Sequence, residues 1–158
     1  MTDVIVARAL HVLAVVIWIG GLTMVTTVIL PAVRRGAFGP DRLQAFHAIE
    51  HGFAWQARSA IIVVGLTGLY MVWRLDLWDR FHAAAYWWMD AMVCLWLLFV
   101  FVLFIAEPII LRRHFRRWAT MRPDIAFAWL HRGHWLLLVL ASFTILGAVA
   151  GSQGWSVF

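Results

Sequence analysis

The stretch ALHVLAVVIWIGGLTMVTTVILPAV, residues 9–33, carries no charged side chain. A helix crossing about 30 Å of hydrocarbon needs roughly 20 apolar residues, and this run exceeds that. Working outward, residues 135–158 are also free of charge, residues 52–73 are interrupted only by Arg58, and residues 83–111 carry just Asp90 and Glu107. The whole 158-residue chain follows the same pattern, with 64% hydrophobic and 13% charged residues; soluble domains run at roughly 45–50% and about 25%. A water-soluble globule is excluded. With Cys94 as the single cysteine, so is a disulfide scaffold. The pattern predicts an all-α integral membrane four-helix bundle, one transmembrane domain over 1–158 with spans at about 4–33, 52–73, 83–111 and 135–157. The first span is too long for a signal peptide and lacks its basic leader.

Thirteen Lys+Arg against eight Asp+Glu give a net charge of +5. The first connection holds Arg34, Arg35 and Arg42, and the third holds Arg112, Arg113, Arg116, Arg117, Arg122 and Arg132. The second balances Arg74 and Arg80 against Asp76 and Asp79. Positive loops stay in the cytoplasm, so both termini are expected outside (N-out/C-out), in a bacterial-type inner (plasma) membrane. This placement explains the basic excess without nucleic acid as a partner. Most of the eleven tryptophans fall near the expected interfaces, where amphipathic rings collect; Trp18 and Trp96 lie deeper.

The connections also suggest a repeat. The first span closes with Pro31 and then Arg34-Arg35, the third with Pro108 and then Arg112-Arg113. The helix after each opens on Pro-Asp, at Pro40-Asp41 and Pro123-Asp124. Proline fits the first turn of a helix, and an early Asp complements its dipole. His51 and His134 each follow those prolines by eleven residues. Two helical hairpins related by a pseudo-two-fold axis along the membrane normal are therefore expected, with His51 and His134 at equal depth.

Ionisable residues inside a bilayer are costly and usually face the bundle interior. Arg58 and Glu107 come at depths compatible with an ion pair; alternatively Arg58 meets an anionic group such as a haem propionate. His11 and Asp90 share a similar depth, where a carboxylate can orient an imidazole. His47 and His51 are four apart and His131 and His134 three apart, so each pair lines one helix face. Three readings fit: interfacial histidines without a ligand, direct binding of a metal ion, or axial ligation of haem iron by histidines from facing helices. Haem accounts for most features together, with His51 and His134 as first ligands, His47 and His131 as the alternative register, His11 at a second, outer site, and Arg58 toward propionates. Met89, Met92 and Cys94 are soft enough for copper, but Cys94 is two helical steps, about 200°, from Met92, which spoils a three-ligand site.

Arg8, His11 and Trp18-Ile19-Gly20-Gly21 form a pattern that resembles the first helix of CopD-like and HemJ-like membrane proteins. The resemblance implies a helical bundle linked to b-type haem or to copper, with His11 at the haem or active site. HemJ-like proteins carry a lysine early in the third helix, where this chain has Met89 and Asp90, so the resemblance does not extend to porphyrinogen oxidation. The resulting expectation is a membrane b-type cytochrome carrying out one-electron transfer through histidine-ligated haem b, with quinol or another redox partner, as a homodimer. Copper (or other metal) transport or handling of the CopD-like type is the alternative.

Overall fold

Each long apolar run folds as a helix. In the computed structural model, which describes residues 1–39 and 42–155, these are α1 (Thr2–Arg34), α2 (Arg42–Arg74), α3 (87–121) and α4 (Pro123–Ser152). Side chains are described throughout these segments except at residues 42, 43, 45, 47, 50, 110–114, 116 and 117. Short 3-10 turns at Trp78–His82 and Ala84–Tyr86 join α2 to α3. No strand occurs among the described residues. Four segments are long and apolar enough to cross a membrane: Thr2–Arg34, His51–Arg74, Ala84–Ile109 and Pro123–Ser152. The chain is a multi-pass membrane protein by this measure.

The lateral surface agrees. Leu66 is 65% exposed and Phe143 70%, and Val12, Val16, Leu69, Leu136, Leu146 and Val149 are exposed with them. So large an apolar exterior is untenable in water and suits hydrocarbon chains.

Two helices start earlier than their apolar spans. α2 begins at Arg42 rather than near 52, and α4 at Pro123 rather than near 135. Their opening turns have an apolar face, which buries Phe46 and Phe127 against α1 and near Phe115. Phe127 meets Phe46 and Phe115 edge to face, with centroids 5.5 Å and 5.6 Å apart, and Phe46 and Phe115 are tilted at 6.4 Å. Of the two positions six residues after the Pro-Asp prolines, Phe46 is buried while Trp129 is exposed.

A second apolar layer fills the mid-bundle, built on Trp18, Leu22, Ala57, Ile61, Val64, Phe99 and Leu138. Trp18 and Phe99 meet edge to face at 4.6 Å. Trp96 lies over Gly65, where a Cβ would collide with the indole, and its Nε1–H donates to the Ile61 carbonyl at 2.9 Å. α1 packs most extensively on α2 and α3 on α4, and contacts of α1 with α4 and of α2 with α3 complete the bundle.

Both prolines near span ends reshape their helices. α1 widens to a π-helix over Val25–Ile29, just before Pro31, and α3 does so over Phe101–Leu111, around Pro108. A proline ring clashes with the carbonyl four residues earlier, and an i→i+5 turn moves that carbonyl aside. The new register also leaves one carbonyl without a donor, five residues before each proline. Leu30 N–H is bonded to Val25 O, so the next partner for Thr26 O would be the nitrogen of Pro31, which has no hydrogen. By the same count, Pro108 leaves Leu103 O unpaired.

Candidate functional site

The two orphaned carbonyls are both found by side chains from another helix. His131 on α4 places Nε2 2.9 Å from Thr26 O, and Arg58 on α2 places Nε 3.1 Å from Leu103 O. A buried carbonyl without a donor costs about 1–3 kcal/mol, which gives each contact its structural weight.

His131 has little capacity left. Arg34 Nη1 donates to its Nδ1 at 2.9 Å, which puts the ring proton on Nε2, where it goes to Thr26 O. Trp135 Nε1 also lies 3.0 Å from that Nε2, but an indole N–H and an imidazole N–H cannot bond each other. The cationic donor and the orphaned carbonyl decide the tautomer. In this arrangement both ring nitrogens of His131 are engaged.

Arg58 is likewise engaged. Its Nη2 meets Glu107 Oε2 at 2.6 Å, with side-chain exposures of 26% and 11%, and its guanidinium lies 6.0 Å from the Phe104 ring centroid. The ion pair allowed by their depths in the sequence is present. A buried pair of this kind adds little net stability, yet removing one partner strands a charge. The guanidinium therefore faces Glu107 and a backbone carbonyl rather than an open surface.

Two histidines differ. His11 on α1 has Nδ1 3.0 Å from Thr67 Oγ1, and Thr67 gives its own hydroxyl proton to Val63 O at 2.6 Å. Thr67 can thus only accept from His11, so Nδ1 carries the proton and Nε2 keeps its lone pair. Gly68 makes room for the ring: a Cβ there would lie 3.3 Å from His11 Cε1. Half-buried His134 on α4 donates from Nδ1 to Leu130 O at 2.9 Å, and its Nε2 is open in the same way. His11 is nine residues from the start of α1 and His134 eleven from the start of α4, at the opposite end of the bundle. At a rise of about 1.5 Å per residue, they lie on the order of 20 Å apart in depth.

The remaining sequence candidates are dispersed. His51 is exposed on α2, and among the described residues no hydrogen bond or ring contact links it to His134. The side chain of His47 lies outside the described residues. Asp90 is exposed and has no partner among the described residues, so the hydrogen-bond partner of His11 is Thr67 and not this carboxylate. Met89 is buried while Cys94 is exposed, as their helical spacing requires. Among the described residues no three His, Cys, Asp or Glu side chains form a group able to hold a metal ion.

One polar cluster was not anticipated from the sequence. At the far end of the bundle Asp3 accepts from Tyr70 Oη at 2.8 Å and from Arg74 Nε at 3.1 Å, and its other oxygen faces the N-terminal amine at 2.9 Å. The available signal was an acid in the first turn of α1 and a Tyr-Arg pair in the last turn of an antiparallel α2. The chain matches no protein-family model, no curated protein and no solved structure.

Proposed function

We propose that the chain is a membrane b-type cytochrome in which His134 and His11 ligate haem iron at two depths. The observation that supports this reading is the shared tautomer of the two rings. In each, Nδ1–H is held by a fixed acceptor and Nε2 has no partner among the described residues, the arrangement in which a neutral imidazole binds a metal. A porphyrin brings four nitrogens of its own, so the chain has to give only one or two ligands. A bare zinc or copper ion in a protein site takes three or four converging side chains. The dispersed histidines favour the first requirement over metal handling of the CopD-like type.

Bound haem supplies a one-electron couple whose potential follows from its axial ligand and surroundings. The protein's own part is to orient each imidazole, through Thr67 for His11 and Leu130 for His134, and to keep water away with the apolar layers around Trp18 and Phe127. Two sites on the order of 20 Å apart in depth suit passage of an electron between a quinol or another redox partner on one side and an acceptor on the other. Under this reading the arginine-rich loops face the cytoplasm, both termini lie outside, and the two hairpins are related by a pseudo-two-fold axis. The paired Pro31 and Pro108 distortions favour that symmetry. Exposed His51 is free to face a second copy of the chain, and a homodimer belongs to this reading.

The test is an absorption spectrum of the full chain purified from haem-supplied cells. The reading requires a Soret band and sharp visible bands on reduction, diminished by His134→Ala and by His11→Ala. A colourless protein carrying stoichiometric copper or zinc contradicts it.

A further inference from the structure

The last turn of α1 and the first turn of α4 enclose an open cavity of about 470 Å³, lined by Pro31, Arg34, Arg35, Asp124 and Phe127. Its size falls in the range of small-ligand sites, roughly 300–1,000 Å³. The wall is built rather than incidental. Pro31 orphans Thr26 O, His131 takes that carbonyl through Nε2, and the Nδ1 lone pair left over fixes Arg34 Nη1 at 2.9 Å. Arg34 is thereby held in place before any ligand arrives, which lowers the ordering cost of binding. Arg35 is exposed, and its guanidinium has no partner among the described residues. The positive end of the α4 dipole adds to the two charges, and among the described lining residues one carboxylate, Asp124, opposes them. Pro31 and buried Phe127 form the apolar floor.

We propose that this cavity binds the phosphate group of an anionic phospholipid. Two arginines present the planar donors that phosphate oxygens favour. The cavity opens at the end of two lipid-exposed helices, and α4 carries exposed Trp129 and Trp135 close by, the residue type that marks the headgroup level. Basic pockets between transmembrane helices at this level select anionic headgroups. The site lies apart from His11 and His134 Nε2, and it stands or falls independently of the haem reading.

The experiment titrates the purified full chain, in nonionic detergent, with short-chain phosphatidylglycerol, short-chain phosphatidylcholine and inorganic phosphate, following tryptophan fluorescence. Saturable binding of phosphatidylglycerol is expected, with no equivalent binding of phosphatidylcholine. Arg35→Gln, which disturbs no side-chain contact among the described residues, is expected to weaken it about five-fold, the worth of one basic residue near an anionic surface. Arg34→Gln is expected to do the same, and His131→Ala to weaken binding by releasing Arg34. Binding of inorganic phosphate with equal strength and the same arginine dependence would keep the phosphate site but assign it to a soluble anion, overturning the lipid. Equal binding of the two lipids, or phosphatidylglycerol binding unchanged in both arginine variants, overturns the site.

Discussion

Pro31 and Pro108 cause the same defect, and the molecule answers it differently in the two places. At Pro31 the freed carbonyl of Thr26 meets a neutral imidazole, His131, whose other nitrogen accepts from Arg34 near the end of α1. At Pro108 the freed carbonyl of Leu103 meets a guanidinium, and that charge is balanced by Glu107 one residue before the proline. The difference teaches how to sort the polar residues of this bundle. A side chain held by a backbone fault and by a second, charged partner is structural, whatever its chemical type. His131 and Arg58 belong to that group, while Nε2 of His11 and of His134 has no partner among the described residues.

The largest expected effect is at the charged repair. Glu107→Ala strands Arg58 and is expected to destabilise the protein by about 3–5 kcal/mol, read as a lowered midpoint of thermal unfolding in detergent. Arg58→Met combined with Glu107→Leu is expected to lose less than Glu107→Ala alone, because only the Leu103 carbonyl then lacks a partner. At the neutral repair, His131→Ala is expected to cost about 1–3 kcal/mol. The same change made on a Pro31→Ala background should cost less than half as much, since residue 31 regains its N–H. An unchanged cost in that double-mutant cycle would break the link between proline and histidine.

At the open histidines the stability effects are smaller and the functional ones appear. Thr67→Val removes the acceptor of His11 at nearly constant volume. It is expected to weaken cofactor retention about ten-fold, the lower end for loss of a residue that orients a ligand, measured by competition with a haem acceptor. The smallest effect is expected at Gly68→Ala, whose new methyl meets His11 Cε1 at a tight 3.3 Å. A shift in any visible haem bands, with stability changed by less than about 1 kcal/mol, is the expected result.

Depth along a helix is a count of residues, and what depends on depth was legible in the sequence. The four spans, the Arg58–Glu107 pair and the divergence of Met92 from Cys94 all follow from such counting. Which helices touch, and at what rotation, does not. Asp90 has the right depth for His11 but points away, and Thr67 on the neighbouring α2 takes its place. His131 and His134 share a helix and are one turn apart, yet the first faces a broken stretch of α1 and the second bonds its own backbone. That distinction needed the π-helical register before Pro31, which no apolar pattern encodes. The starts of α2 and α4 ahead of their apolar spans were legible in the Pro-Asp pairs, which suit the first turn of a helix.

The central claim is that open and engaged histidines have different roles, and haem stoichiometry tests it most directly. The haem-to-protein ratio of the purified chain would be measured as the pyridine haemochrome in wild type, in the His11→Ala/His134→Ala double variant, and in His131→Ala. Haem is expected in wild type, with near-complete loss in the double variant and a ratio unchanged in folded His131→Ala. Haem retained by the double variant, or lost only with His131, would contradict it.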